Sequence, residues 1–309
     1  MSLLAAAIVP ILLLLAGGAV IRRWFVADPV FWRGLEWMSY RVFTPALFIS
    51  SIAGADLRAV PIGPLALSVA TPIAVAAGLI LALGRPLRAD GPQLTSMLQG
   101  AIRINTYIGL MFASALHRQD GVAAFALASA VTVPLVNLIC VSTLAIHGER
   151  DHAVKRVPLW RDLIGNPLIM ACATGLLLNV LPVVLPRVVI ATLDMLAAPA
   201  LASGTLIAGA ALHFTFRRSD LLHIGIATIL KLALLPAAAI AIALQFEMTG
   251  ASLTSIVLIC AVPTAPSAYV LASRMGGDTR LIAGTTGVQT LAALATMPIA
   301  LAFADHLAS

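Results

Sequence analysis

Ala261-Val262-Pro263-Thr264-Ala265-Pro266-Ser267-Ala268-Tyr269 sits inside an apolar run from Leu253 to Ser273. Two prolines three residues apart remove two backbone donors from the middle of what would otherwise be a membrane helix. Backbone groups without helical partners are not tolerated facing lipid. They persist only where protein or a water-lined cavity satisfies them. Thr264, Ser267 and Tyr269 bring hydroxyls to the break. The stretch predicts a broken helix lining a solute site.

The chain around it has 309 residues, 61% hydrophobic and only 10% charged, against roughly 25% charged residues in a soluble domain. That composition is of a polytopic membrane protein with no room for a soluble domain. A net charge of +6 is explained by cytoplasmic loops collecting Lys and Arg, so no nucleic-acid partner is expected. Cys140, Cys172 and Cys260 lie in apolar runs at no metal-ligand spacing. They read as packing residues, with no metal and no cofactor expected. The first apolar run has no basic residues before it and places Arg22 and Arg23 after it, which reads as a retained span rather than a signal peptide.

A span needs roughly 20 apolar residues. On that ruler the chain holds ten, at about 2–21, 35–54, 62–84, 94–116, 121–146, 163–184, 188–212, 221–245, 253–273 and 281–304. The longest and most charged loop runs from His147 to Asp162 and divides the spans into two groups of five. The expected organisation is an N-terminal five-helix repeat over 1–147, a cytoplasmic linker over 148–162 and a C-terminal repeat over 163–309. Arg22, Arg23, Arg33, Arg85, Arg88, Arg150, Lys155, Arg156, Arg161, Arg217, Arg218, Arg274 and Arg280 follow odd-numbered spans, whereas Arg58, Arg118 and Arg187 lie on the other side. That bias puts the odd loops in the cytoplasm and both termini outside it.

The halves repeat weakly. Pro45-Ala46-Leu47 answers to Pro199-Ala200-Leu201, Thr132-Val133-Pro134 to Thr296-Met297-Pro298, and Ala113-Ser114 to Ala272-Ser273. Five spans per repeat forces the second copy to be inverted, a plan that places solute sites between repeats near the midplane. Counting back from the two Ala-Ser pairs sets Thr264 opposite Asn105, in Arg103-Ile104-Asn105-Thr106-Tyr107-Ile108-Gly109. Arg103 and Asn105 are costly in hydrocarbon and are expected to face a cavity or a partner.

Carried together and in this order, these pieces resemble the auxin efflux carrier family. The quoted set includes Val9-Pro10, Gly17-Gly18, Thr44 to Phe48, Arg103 to Gly109, Gly165-Asn166-Pro167, Lys231-Leu232 before Pro236, and Pro263 to Tyr269. The likeness is greatest to the bacterial branch assigned to malonate and other organic acids, and it covers nearly the whole chain. It implies an all-α fold of ten transmembrane helices in two inverted five-helix repeats, with broken helices 4 and 9 crossing at the substrate site. It also implies elevator-type motion of one helix group against the other. Plant members have a proline at the fourth-helix break and a long loop between the halves, and this chain has neither.

An organic acid is an anion at neutral pH, so its site needs donors and positive potential. Arg103 can take a carboxylate as a two-pronged fork. Asn105, Thr106, Thr264, Ser267 and Tyr269 can donate without adding charge. With Pro263 and Pro266 these form the expected substrate site. Structural alternatives stand beside it: Arg103 snorkelling to the cytoplasm or pairing structurally, and Thr264 and Ser267 bonding the backbone freed by the prolines. Asn137 and Gln289 are candidate cavity-lining residues or interhelical hydrogen-bonders, and Lys231 reads as structural or interfacial, with a coupling role as the alternative. Asn166-Pro167 reads as a helix start.

The expected activity is secondary transport of a malonate- or malate-like carboxylate across the bacterial inner membrane, driven by a proton gradient. A passive facilitator, or a sodium-coupled symporter of the bile-acid type, is the alternative. A membrane enzyme or receptor is disfavoured, since no His-Glu-x-x-His and no phosphate-binding Gly-rich loop with Lys is present. The oligomeric state stays open, with a homodimer as one option. Asp194 is the one carboxylate well inside a span, Glu36 lying at the edge of the second, and it is placed for proton coupling or for a solvated capping role. As proton carrier it predicts that Asp194→Asn flattens the pH dependence of uptake. A pH profile matching the wild type removes it from that role.

Overall fold

The computed structural model describes residues 3–55, 60–149, 165–181, 185–212 and 216–308. Every regular element among them is helical. In chain order they are α1 (Leu3–Val20), α2 (Pro29–Met38), α3 (Thr44–Ala53), α4 (Ile62–Leu83), α5 (Gly91–Ile102) and α6 (Thr106–His147). Then follow α7 (Pro167–Val180), α8 (Arg187–Ala197), α9 (Ala200–Ala210), α10 (Leu221–Ile229), α11 (Leu235–Gln245), α12 (Gly250–Ala261), α13 (Ser267–Met275) and α14 (Thr279–Ala308). Among the described residues, five helical stretches are long and apolar enough to cross a membrane: Ile62–Leu83, Gly91–His147, Arg187–Ala210, Arg218–Gln245 and Thr279–Ala308. The protein is an all-α, multi-pass membrane protein. Most of the expected loop between the halves, at 150–162, lies outside the described residues.

Local chemistry explains where the helices begin. Asp28 caps α2 through Val30 N–H at 2.8 Å, with Pro29 as the first helical residue. This start precedes the expected limit at 35, because Trp32, Arg33 and Glu36 dilute the apolar run that hydropathy follows. Asp90 and Gln93 form a reciprocal capping box on α5. Asn166 caps α7 through Leu168 N–H at 3.0 Å, with Pro167 next, as the Asn-Pro pair predicts. The long α6 is two helices in one assignment, since Arg118 adopts φ 51° and ψ −129°. That point separates the fourth and fifth expected spans.

Among the described residues, π-helical turns interrupt the α-helical register at Ile21–Phe25, Ser39–Phe43 and Leu230–Leu234. They contain Arg22 and Arg23, Arg41 and Lys231 respectively. A π turn inserts a residue into the helix and re-aims every side chain beyond it.

The chain folds as two compact units, and each draws on both halves of the sequence. The first comprises Met1–Ile62, Tyr107–Ala130 and Pro158–Ala211. Its helices approach through small residues. A Cβ at Gly18 would run into the carbonyl of Leu206, and one at Gly209 into the carbonyl of Leu15, so α1 and α9 meet backbone to backbone. Ser39 and Ser203 share a buried hydrogen bond of 2.7 Å. Asn179 Nδ2 donates to the carbonyls of Ile52, Ala53 and Ala55 at 3.0, 3.2 and 2.8 Å. It thereby closes the C-terminal end of α3, whose last carbonyls have no helical donor.

The second unit comprises Gly63–Thr106, Val131–Val157 and Leu212–Ser309. It holds α4, α5, the end of α6 and α10 to α14, and with them both breaks in the helical pattern. Gly209→Val should cost about 1–3 kcal/mol by forcing backbones apart. Gly225→Ala, where nothing lies within 4 Å of an added Cβ, should leave stability unchanged or slightly raised. Thermal unfolding in detergent checks the pair.

Candidate functional site

The α5 helix stops without a proline. Its last helical bond runs from Arg103 N–H to Gln99 O at 2.9 Å. Arg103 then turns extended, with φ −69° and ψ 151°. Two residues on, the amide of Asn105, which in a continued helix would bond Ala101 O, donates instead to Pro263 O at 2.8 Å. The helix restarts at Thr106. The helical run is therefore broken at Arg103–Asn105, and the amide of Asn105 is held by the Pro263–Pro266 stretch.

The ninth segment breaks for local reasons. Val262 precedes a proline and is extended, φ −65° and ψ 147°, as the pyrrolidine ring demands of its neighbour. Pro263 and Pro266 have no N–H to give. Between them Thr264 N–H reaches Gln289 Oε1 at 3.0 Å. Ser267 opens α13, which closes at Gly276 in the left-handed conformation, φ 74°.

Gly100 O joins the two breaks. Bending at Arg103 strips this carbonyl of its helical donor. It accepts from Thr264 Oγ1 at 2.9 Å and from Gln289 Nε2 at 2.8 Å. A Cβ at Gly100 would stand 2.8 Å from Thr285 Cγ2, and Thr285 lies one turn before Gln289 on α14. Glycine at 100 is what lets α14 come close enough for Gln289 to bridge. Thr264, Gln289 and Asn105 are buried to 0%, 0% and 2% exposure.

Arg103 is half-buried. Its Nη2 donates to Ser267 Oγ at 3.3 Å, a long bond across the two breaks. Its Nη1 is buried and has no hydrogen-bond partner among the described residues. The guanidinium also lies in the field of the buried Cys140 thiol, a weak acceptor. Two helices, α13 and the restarted α6, present their N-terminal ends at these breaks, and such ends carry partial positive charge.

Of the expected site residues, Arg103, Asn105, Pro263, Thr264 and Ser267 are tied together by these bonds. Thr106 and Pro266 are half-buried beside them in sequence. Tyr269 is 49% exposed and lies outside this network of bonds. Gln289 braces both breaks. Asn137 is half-buried on α6. Asp194 is exposed on α8, in the first unit. Lys231 is fully buried, and its Nζ donates to Ile259 O at 3.3 Å, on the last turn of α12. The sequence reading singled out neither Gly100 nor Gln99. The available signal was their place within one turn of Arg103.

A family profile described as a membrane transport protein matches residues 96–301, a stretch that holds both breaks. The chain belongs to the auxin efflux carrier family. Family members are transporters and not enzymes, so this auxin efflux carrier family protein is a membrane transporter at that level of description. No protein of curated function matches it.

The bonding at Gly100 O ranks two substitutions in this family member. Gln289→Leu leaves Thr264 N–H buried without an acceptor and should destabilise by about 1–3 kcal/mol. Thr264→Val leaves Gly100 O still bonded to Gln289 and should cost about 1 kcal/mol. Thermal unfolding in detergent should return that order.

Proposed function

We propose that the protein is a secondary active transporter of a small organic anion, a malonate- or malate-like carboxylate. In this reading it sits in the bacterial inner membrane with both termini outside the cytoplasm, as ten spans in two inverted repeats. Transport is driven by the proton gradient and proceeds by elevator-type alternation around the two breaks. The observation that carries the reading is Arg103. It is a half-buried guanidinium at an unwound backbone whose Nη1 has no hydrogen-bond partner among the described residues and whose side-chain partners are neutral, Ser267 Oγ at 3.3 Å and the Cys140 thiol.

A cation inside a membrane protein is retained where it meets an anion, a cavity or a backbone carbonyl. Among the described residues the ion pairs are Arg280 with Asp220 and with Asp278, and Arg103 has no carboxylate. A carboxylate ligand would supply the missing charge through a bidentate fork. The N-terminal ends of α13 and of the restarted α6 would add donors and positive potential without adding a titrating group. Asn105, Thr106, Thr264 and Tyr269 remain proposed contacts, with Asn137 and Gln289 along the wall.

Vesicles loaded with the protein should accumulate labelled malonate or malate when a pH gradient is imposed. Arg103→Gln should abolish that uptake while the protein stays folded by thermal unfolding. Failure of the wild type to take up any carboxylate under a gradient overturns the reading. Unchanged kinetics in Arg103→Gln removes Arg103 from the site.

A further inference from the structure

We propose that Gln99 is a second anion-reading residue. The anion it reads carries, beside the carboxylate taken by Arg103, a group that both donates and accepts a hydrogen bond. This rests on the carboxylate reading above and narrows its substrate class to 2-hydroxy acids and half-protonated dicarboxylates.

Gln99 is on the stripe of α5 that also holds Ser96 and Arg103, three residues before it and four after. Those neighbours reach to the two ends of α13. Ser96 Oγ donates to Asp278 O at 2.9 Å, just before α14, and Arg103 Nη2 donates to Ser267 Oγ, at the start of α13. Gln99 lies between these rungs. It is 0% exposed, and neither its Nε2 nor its Oε1 has a hydrogen-bond partner among the described residues.

Gln289 is the comparison inside the same unit. It is buried to the same degree, and both of its amide atoms are engaged, with Thr264 N–H and Gly100 O. A glutamine that braces this fold is therefore fully bonded, and Gln99 is not. A buried amide with its bonds unmade costs about 1–3 kcal/mol that leucine would not. With Arg103 Nη1, three buried polar atoms within one helical turn lack partners. Such a set is complementary to a ligand.

The chemistry of the set fixes the ligand's. The guanidinium offers only donors and positive charge, which selects a carboxylate. The amide offers donors at Nε2 and lone pairs at Oε1. A hydroxyl or a protonated carboxyl satisfies both. A second ionised carboxylate can only accept, and it would leave Oε1 facing negative charge. Arg103 ends the helix with its N–H still bonded to Gln99 O, and Cβ atoms at that helical spacing stand about 5–6 Å apart, so one small acid is the size of ligand that the two side chains can share. Arg103 is the half-buried end of the stripe. The ligand's carboxylate replaces Ser267 at Nη2, and its second group meets the amide one turn behind.

Reconstituted wild-type protein and Gln99→Leu are compared for pH-gradient-driven uptake of malate and lactate against propionate, which has the carboxylate but no second polar group. Gln99→Leu should raise KM for malate and lactate about tenfold or more, since a site built to bond a hydroxyl discriminates strongly by it. It should leave KM for propionate within about twofold and its melting temperature unchanged or raised. Equal KM shifts for all three acids, or none, overturn the role of Gln99 while leaving the carboxylate reading intact. Wild-type protein that takes up none of the acids overturns that reading itself. Where Gln99→Leu does not fold, Gln99→Met is read in its place. Failure of both to fold overturns the proposal, because the amide is then part of the scaffold.

Discussion

A carbonyl in the middle of a membrane protein must be bonded to something, and that of Gly100 is bonded twice. The requirement is severe because lipid offers no donor and an unsatisfied peptide group in hydrocarbon costs several kcal/mol. Interrupting two helices at the same level would create many such groups. The second unit resolves the problem by making each interruption the partner of the other. Asn105 N–H takes Pro263 O, Thr264 takes Gly100 O, and Gln289 bridges what remains. The glycine at 100, the close approach of α14 and the burial of Thr264 all serve that one exchange. An opened backbone lined by a free guanidinium nitrogen is the by-product that a transporter can use.

The two interruptions differ in how plainly they are written. At the ninth segment the prolines state the break locally, and the reading from Pro263 and Pro266 places it correctly. At the fourth segment Arg103-Ile104-Asn105 has no helix breaker. Its extended backbone is held from outside by Pro263 and Ser267. Polarity marked the place, and internal repetition supplied the partner, but neither could state that the chain leaves the helix there. Tyr269 is a site candidate through its hydroxyl and its place in the sequence, and the turn of α13 leaves it 49% exposed, outside the bonds that join the two breaks. Gln99 was invisible for a third reason, since one glutamine in a helical run says nothing until its neighbours' bonds are known.

Helix positions followed well from hydropathy and caps, whereas helix phase did not. Apolar periodicity assumes about 3.6 residues per turn. The π turns at Ile21–Phe25, Ser39–Phe43 and Leu230–Leu234 break that count. Each turn contains at least one arginine or lysine. Beyond each of them a helical wheel drawn from the sequence points the wrong way. Lys231 is the clearest case: a lysine in an apolar run that the structure buries completely against the end of α12. The close contacts of α1 with α9 were foreshadowed by glycines, yet which glycine meets which carbonyl is a matter of phase again.

The bonds on Gly100 O also have a direction in time. Its two donors lie 164 and 189 residues further along the chain. A ribosome delivers α5 and α6 to the membrane long before Thr264 or Gln289 exists. Throughout that interval the nascent fourth segment has no partner to open it, and the local rule is to close each carbonyl on the amide four residues ahead. The unwound stretch is therefore an acquired feature, written into the early half of the polypeptide by the late half. Translation has to reach α14 before this membrane protein contains an opening at all.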